Sequence, residues 1–212
     1  MFIIIIVYYG GFNVIEVEIK VKIDNPDEMR KLFVECNGIY KMSLLHEDTY
    51  FNMPEGLRDF RKSDEALRIR KSIESHIDRK EPRHEPKYFI TYKGKKLDST
   101  TKTRKELESI VEEGEKLKEI LLLLGFREFF TVKKERELYE FTHDGHKIEA
   151  LIDYLPILKE NFIEVEIITD SKEKIGDATQ ILFDFLGTFG IEEAQSIRKS
   201  YLELIVDKFR TI

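Results

Sequence analysis

The sequence predicts an α+β fold in which antiparallel strands with one charged face are combined with amphipathic helices. The first observation is the run Val14–Ile23, in which charged and apolar residues alternate from Ile15 onward. Successive side chains of a strand point to opposite faces, so this strand has one apolar and one charged face. The second is that the pattern returns later in the chain with the sign of the charge changed. The third is that segments with helical spacing separate the strands.

The charged face of the first strand holds Glu16, Glu18, Lys20 and Lys22. A helix follows, because Asn25 and Pro26 form a typical helix start and Gly38 marks its end. The only cysteine, Cys36, lies near the end of this helix and is predicted to be a buried structural thiol. A single cysteine excludes an internal disulfide and a cysteine metal cluster.

Alternation of apolar and polar residues predicts strands at 44–53, 66–71, 88–93, 129–141, 146–154 and 162–169. The segment 72–87 is charged, contains two prolines and is predicted to be a flap near one mouth of the site. Its His76 and His84 are interpreted as solvated loop residues. Helical spacing predicts helices at 115–124 and 171–186, and a short terminal helix carrying Tyr201 and Leu204. The segment Arg104–Val111 fits a helix and a strand equally well.

The charge distribution restricts the class of partner. The chain has 212 residues, a net charge of −6 and 36% charged residues. This balance argues against nucleic-acid and membrane-surface binding, which need a broad basic field. Basic strands inside an acidic protein suit a small polyanion bound in a shielded place. A surface rich in Lys and Glu is typical of heat-adapted proteins.

The apolar run at residues 2–9 is too short to span a bilayer and has no basic start. We therefore expect a cytoplasmic protein. Residues 1–13 are interpreted as an N-terminal extension. They either add a strand at a sheet edge or a second subunit, or reflect an upstream start codon.

A set of motifs occurs along the chain in a fixed order: Glu16-x-Glu18-x-Lys20, Asp48-Thr49-Tyr50-Phe51, Ala66-Leu67-Arg68-Ile69-Arg70, Tyr92-Lys93-Gly94, Arg104-x-Glu106-x-Glu108, Lys134-Glu135-Arg136, Asp153 and Glu164-x-Glu166. In this order they resemble the CYTH (triphosphate tunnel) family, from about Val14 to the C-terminus. The tail Arg198–Leu204 resembles the closing motif of the CyaB branch, the class IV adenylyl cyclases. The resemblance is to archaeal and thermophile-like members.

The resemblance implies one CYTH-like triphosphate tunnel domain over 14–212 and favours a strand at Arg104–Val111. About eight antiparallel strands, with apolar faces outward and charged faces inward, would form a barrel around a polar tunnel, with helices packed outside. Buried charges require partners, an ion or a ligand.

Roles for the tunnel residues follow from the resemblance. The metal ligands would be Glu16, Glu18, Glu164 and Glu166. The substrate-binding residues would be Lys20, Arg68, Arg70, Lys93, Arg104, Lys134 and Arg136. The catalytic residues would be Glu16, Glu18, Lys20 and Asp153. Asp153 would contact a nucleobase or act as an acid or base, while Glu106 and Glu108 would bind metal or hold Arg104 and neighbouring bases in place.

These residues describe a site for a metal-bound triphosphate, with Mg²⁺ or Mn²⁺ as the cofactor. We expect class IV adenylyl cyclase activity, which converts ATP to cyclic AMP and pyrophosphate. Hydrolysis of inorganic or thiamine triphosphate is the alternative, and a non-catalytic polyphosphate- or nucleotide-binding module is the third. A homodimer is the expected assembly, with no nucleic-acid or membrane partner.

Overall fold

The computed structural model describes residues 15–75, 85–96, 104–169 and 171–210. The predicted N-terminal extension lies outside this range. So do residues 76–84 of the predicted flap, with His76 and His84. The structure describes Arg104 by its backbone.

The described residues form an eight-stranded antiparallel sheet and four α-helices. The strands are β1 (Ile15–Ile23), β2 (Ile39–Asn52), β3 (Ala66–Ser75), β4 (Lys87–Lys96), β5 (Arg104–Val111), β6 (Arg127–His143), β7 (His146–Leu155) and β8 (Glu160–Thr169). The helices are α1 (Pro26–Glu35), α2 (Gly114–Leu123), α3 (Ile175–Gly187) and α4 (Tyr201–Arg210). The sheet closes into a barrel in the order β1-β5-β4-β3-β2-β6-β7-β8. The predicted fold class is therefore confirmed.

The main core lies on the outside of the barrel, against helices. Val17, Ile19 and Val21 of β1 are at most 1% exposed and belong to a cluster that includes Phe33 of α1 and Leu182 of α3. Because side chains alternate along β1, packing its apolar face outward points its charged face into the lumen. Burial of this apolar face thus fixes the register of the charged residues.

One end of the lumen is filled by α4. Tyr201 and Ile205 of this helix are buried with Val132, Leu155 and Phe162 from the barrel strands. Apolar side chains thus form a floor beneath the charged part of the lumen. None of the helices in the described part of the chain is long and apolar enough to cross a membrane.

Strands β2, β3 and β4 are longer than predicted. The sequence predicted these strands at 44–53, 66–71 and 88–93, and the bounds given above replace those ranges. Ser72–Ser75 and Lys87, which were predicted to belong to the flap, are strand residues. Pairing explains the difference, since Ser72 lies opposite His46 and Lys87. Arg104–Val111 is a strand, because seven described pairs join it to β4.

The prediction for Cys36 is wrong. It caps the end of α1, where its thiol is exposed. Met29, Phe33 and Cys36 have the spacing of one helical face. Cys36 is the residue at which the chain leaves the helix, so its side chain does not pack with the buried Met29 and Phe33.

Candidate functional site

The acidic side of the lumen is built by strands β1, β7 and β8. Carboxylate oxygens of Glu16, Glu18 and Glu166 all lie within 4.8 Å of one another. Glu18 lies directly opposite Glu166, which in turn lies opposite Glu149 of β7. Side chains opposite each other on neighbouring strands share a face, so antiparallel pairing alone brings these carboxylates together.

Crowding of carboxylates changes their ionisation. Burial, and then Glu106, raise the pKa of Glu16 to about 8, although Lys93 acts in the opposite direction. Burial, Glu16 and Glu18 raise the pKa of Glu166 well above its ordinary value. Burial and neighbouring negative charges both disfavour the charged form of a carboxylate, and a bound cation would counteract both effects.

The basic side is built by β2, β3 and β6. Arg70 donates two hydrogen bonds to Asp48, from Nε at 2.7 Å and from Nη2 at 2.8 Å. Arg68 donates to Thr91 at 2.9 Å and to Glu108 at 3.2 Å, and contacts Asp48 at 3.4 Å. Although burial opposes ionisation, Arg70 and Arg68 hold the pKa of Asp48 well below its usual range. The carboxylate therefore fixes both guanidinium groups at the lumen surface.

Arg136 is held from two sides. It donates from Nε and Nη2 to the two oxygens of Asp153, each at 2.6 Å, and also contacts Glu164. Tyr201 donates its hydroxyl hydrogen to the carboxylate of Asp153 at 2.7 Å. Burial and Asp153 raise the pKa of the Tyr201 phenol well above its ordinary value, so the phenol keeps its proton.

Lys20 lies between these groups and is 1% exposed. Its Nζ is 3.1 Å from Glu164 and 3.2 Å from the carbonyl oxygen of Lys199. It also lies 3.5 Å from the centre of the Tyr201 ring, a cation–π contact. The segment that begins α4 therefore covers Lys20.

Lys134 is a second buried lysine. Its Nζ is 3.9 Å from Asp153 and 5.2 Å from the Tyr201 ring centre. Burial and the neighbouring Arg136 lower the pKa of Lys134 to about 8. This ammonium group therefore loses its proton more easily than an ordinary lysine.

The structure brings most of the predicted site residues to one cavity of about 910 Å³. The predicted residues that line it come from both the acidic and the basic side: Glu16, Glu18, Lys20, Arg68, Arg70, Lys93, Lys134, Arg136, Glu164 and Glu166. The backbone of Arg104 lies opposite Glu16. Asp153 shares the lumen-facing side of β7 with Glu149 and Leu151, but it is fully buried against Arg136 and Tyr201 and does not line the cavity. Its place favours a positioning role over the nucleobase contact or acid–base role.

Glu164 and the β5 carboxylates contact cations of the site. Glu164 contacts Lys20 and Arg136 and lies outside the group of three carboxylates. Glu106 accepts from Lys93 at 2.5 Å, and Glu108 accepts from Arg68. Of the two roles considered for Glu106 and Glu108, these contacts favour holding bases in place.

The cavity also has an apolar strip. Met42, Leu138 and Leu151 lie opposite one another on β2, β6 and β7, and Leu44 follows Met42 on the same face. The row of opposed residues continues across the sheet beyond Leu151, where the charged residues Glu164 and Lys20 take the next two positions. The lumen therefore offers an uncharged surface beside its charged ones.

Three cavity-associated residues have no assigned role in the sequence prediction. Asp48 and His46 face the lumen on β2. They precede Tyr50 at alternate positions, so the alternation of side chains along a strand could have placed both on the same face as Tyr50. Tyr201 appeared only as part of the tail motif. No periodicity in the sequence indicates that it reaches Lys20 and Asp153.

With this geometry established, we compared the chain with known proteins. The CYTH domain model matches residues 14–201. The chain belongs to the CYTH domain family. This family acts on nucleoside triphosphates or other triphosphates. The acidic and basic sides of the lumen agree with a substrate of this kind.

The chain is 38% identical over 191 residues to "Putative adenylate cyclase MJ0240" of Methanocaldococcus jannaschii, covering 90% of this chain and 98% of that protein. The structure of PH1819 from Pyrococcus horikoshii OT3 is similar with a TM-score of 0.77 and 36% identity, covering 91% of this chain and 99% of the other.

A more distant structure shares the CYTH fold. It is "Putative adenylyl cyclase HpAC1" from Hippeastrum, with a TM-score of 0.60 and 17% identity, covering 91% of this chain and 96% of the other. A dominant triphosphatase activity is described for that protein.

Proposed function

We propose that this protein is a metal-dependent enzyme that acts on a triphosphate, and that it is a class IV adenylyl cyclase-like enzyme converting ATP to cyclic AMP and pyrophosphate. The observation that carries the proposal is the placement of Glu16, Glu18 and Glu166 opposite a basic wall in one cavity. A triphosphate with a bound divalent cation needs both walls at once.

The acidic side fits Mg²⁺ or Mn²⁺. Both ions prefer oxygen ligands, and the three carboxylates are close enough to share one ion. Burial, and then neighbouring carboxylates, raise the pKa of Glu16 and Glu166, so a bound cation would stabilise their charged forms. Glu16, Glu18 and Glu166 would hold the ion, which when bound lowers the pKa of an attacking hydroxyl or water and neutralises phosphate charge.

The basic side would bind and orient the phosphates. Arg68, Arg70 and Arg136 are already held by buried carboxylates, so little side-chain ordering is needed when the substrate binds. In the cyclase reaction, the 3′-oxygen bonds to the α-phosphorus and the bond from that phosphorus to the β-phosphate oxygen breaks. Lys134 and the arginines would then stabilise the departing pyrophosphate.

The apolar strip supports a substrate with an organic part. Met42, Leu138 and Leu151 give a nucleoside a surface to contact, whereas inorganic triphosphate offers no apolar group to bury. This favours ATP over inorganic triphosphate.

The second candidate is a triphosphatase, in which water attacks the terminal phosphorus. It is favoured by the activity described for the Hippeastrum protein, whose fold this chain shares. The same two walls serve both reactions, and the register of the substrate along the lumen decides between them.

Product analysis tests the proposal. The protein is incubated with Mg²⁺ or Mn²⁺ and ATP, and in parallel with inorganic triphosphate. Cyclic AMP and pyrophosphate from ATP are expected. Orthophosphate from triphosphate without cyclic AMP would establish the triphosphatase instead. Turnover in neither assay would contradict both enzymatic proposals for these substrates and favour a binding module.

A matched pair of variants assigns any turnover to this site. Glu18→Gln removes a carboxylate of the group of three. Glu47→Gln removes one from an exposed pair with Lys133, at 2.8 Å, on β2. Activity lost only in Glu18→Gln supports the proposal, whereas equal activity in both variants would contradict it.

A further inference from the structure

We propose that His46 is an additional substrate-binding residue, which donates a hydrogen bond from its imidazole to a phosphate oxygen inside the basic wall. The inference rests on the proposed function, because it concerns how the same triphosphate is held. It adds a group that neither the charge pattern nor the motifs single out.

The position of His46 places it among the phosphate-binding candidates. It lies on β2 opposite Ser72 of β3 and Lys134 of β6, and one lumen-facing position before Asp48. The residue lines the cavity and is 5% exposed. A ligand spanning Arg70 and Lys134 would therefore pass the imidazole ring.

The ring is incompletely hydrogen bonded in the protein alone. His46 Nδ1 is buried and has no hydrogen-bond partner among the described residues. A buried polar atom without a partner costs about 1–3 kcal/mol, and such atoms are rare in native proteins. Because Nδ1 is closed off from the lumen as the ring stands, a ligand recovers this free energy when the ring turns about its Cβ–Cγ bond and presents this nitrogen to the cavity.

The surrounding charges determine what that partner is. Burial, then Arg70 from β3, and Lys134 and Arg136 from β6 disfavour a positive imidazole, whereas Asp48 from β2 favours it. Together these effects lower the pKa of His46 well below its ordinary value, so the ring is neutral and carries one N–H donor.

Lys and Arg side chains have no acceptor atoms, so the neighbouring cations cannot accept this hydrogen. Asp48 already accepts from Arg70 and Arg68. An acceptor-rich anion attracted by the three cations meets the need of the imidazole, and a phosphate group has this chemistry. A neutral donor adds direction to phosphate binding without adding a fourth repelling charge.

The test compares His46→Leu, which removes the ring's polar atoms, with His46→Gln, which keeps amide donors. Binding of inorganic triphosphate is measured by titration calorimetry without divalent metal. Since a hydrogen bond to a charged group contributes about 1.5–3 kcal/mol, His46→Leu is expected to raise Kd about tenfold or more. His46→Gln is expected to stay within about threefold of the wild type.

The outcomes separate this inference from the proposed function. Wild-type affinity in His46→Leu, with the wild type binding triphosphate, would overturn the role of His46 alone. Equal weakening in both variants together with an equally lowered Tm would show a packing role and also overturn it. No binding by the wild type would overturn triphosphate binding itself, and the inference with it.

A second measurement observes the ring directly. In protein labelled with ¹⁵N-histidine, triphosphate is expected to shift the ring nitrogen signals of His46. His143 and His146 lie at the turn between β6 and β7, outside the cavity lining, and serve as internal controls. A His46 signal that moves no more than the controls at saturating triphosphate would contradict the contact.

Discussion

The two sides of the lumen differ in how their charges are balanced. On the basic side, Arg70 and Arg136 each make two hydrogen bonds to a buried aspartate. On the acidic side, Glu16, Glu18 and Glu166 face one another, and the pKa of Glu16 and of Glu166 is raised. The basic side is therefore organised before any ligand binds, whereas the acidic side would be stabilised by the cation of the proposed function.

This difference separates stability from function. Removing a carboxylate from the acidic side is expected to stabilise the fold and to abolish activity. Removing one from the basic side is expected to destabilise the fold, because a buried guanidinium group loses its partner.

Glu16→Gln is expected to lower metal-dependent turnover by about 100-fold or more, because even groups that only orient metal ligands are worth 10–100-fold. Steady-state kinetics with Glu47→Gln as the control measures the loss. Turnover within threefold of the wild type would remove Glu16 from the metal site.

The same variant is expected to be more stable than the wild type in the absence of metal. The pKa of Glu16 is about 8 in the folded protein and 4.5 ordinarily. The folded state thus binds more protons between these values, and the wild type loses stability as pH rises through this window. The gain in Tm should be absent near pH 4 and present at pH 8. A gain that does not depend on pH would contradict the assigned cause.

Asp153→Asn is expected to lower the free energy of unfolding by about 3–5 kcal/mol, because it leaves the buried Arg136 without its main partner. Denaturant unfolding measures the change. The control is Glu137→Gln, which weakens a more exposed pair with Arg30 at 2.7 Å on the outer face. If Asp153→Asn cost no more than the control, the basic side would not depend on Asp153.

Lys134→Met is expected to raise the free energy of unfolding at pH 7 by on the order of 3 kcal/mol, while weakening triphosphate binding. The pKa of Lys134 is about 8 in the fold and 10.5 ordinarily. Its burial cost is fully present below pH 8 and disappears by about pH 10.5, so the gain should disappear over the same range. Lys133→Met, at the adjacent exposed position, is the control, and an equal gain in stability in both variants would contradict the assigned cause.

Tyr201→Phe has the smallest expected effect, a loss of about 1–2 kcal/mol, because one hydrogen bond to Asp153 is removed while the ring under Lys20 remains. Thermal unfolding measures it against Tyr139→Phe, whose hydroxyl makes a longer bond of 3.3 Å to Glu137. Equal losses in the two variants would show that the Asp153 contact has no special weight.

Alternation of side chains was sufficient to predict much of this structure. In β1, the apolar residues predicted to face one way are buried against α1 and α3, and Glu16, Glu18 and Lys20 line the lumen. The pattern is strong because one face of β1 packs against helices and the other faces the charged lumen. Where both faces are mixed, as in β2 before residue 44, pattern alone did not locate the start of the strand.

Other features depend on contacts between distant segments. Glu164 and Glu166 follow the same E-x-E pattern, yet Glu166 joins the carboxylate group and Glu164 contacts Lys20 and Arg136. Which role each takes depends on the register between β1 and β8. His46 is similar, since its neighbours on β3 and β6 make it notable and both are remote in sequence.

The pairing of β1 with β8 has a consequence for folding. Nine residue pairs join these strands, from Ile15 opposite Thr169 to Ile23 opposite Asn161, across well over a hundred intervening residues. Contacts of such long sequence separation form slowly, because the closing of a long loop precedes any gain from pairing. The group of three carboxylates and the Lys20–Glu164 pair exist only after this closure. Under the proposed function, a divalent cation or triphosphate would therefore bind the completed barrel in preference to all other states of the chain, and would slow its opening without accelerating the early steps of folding.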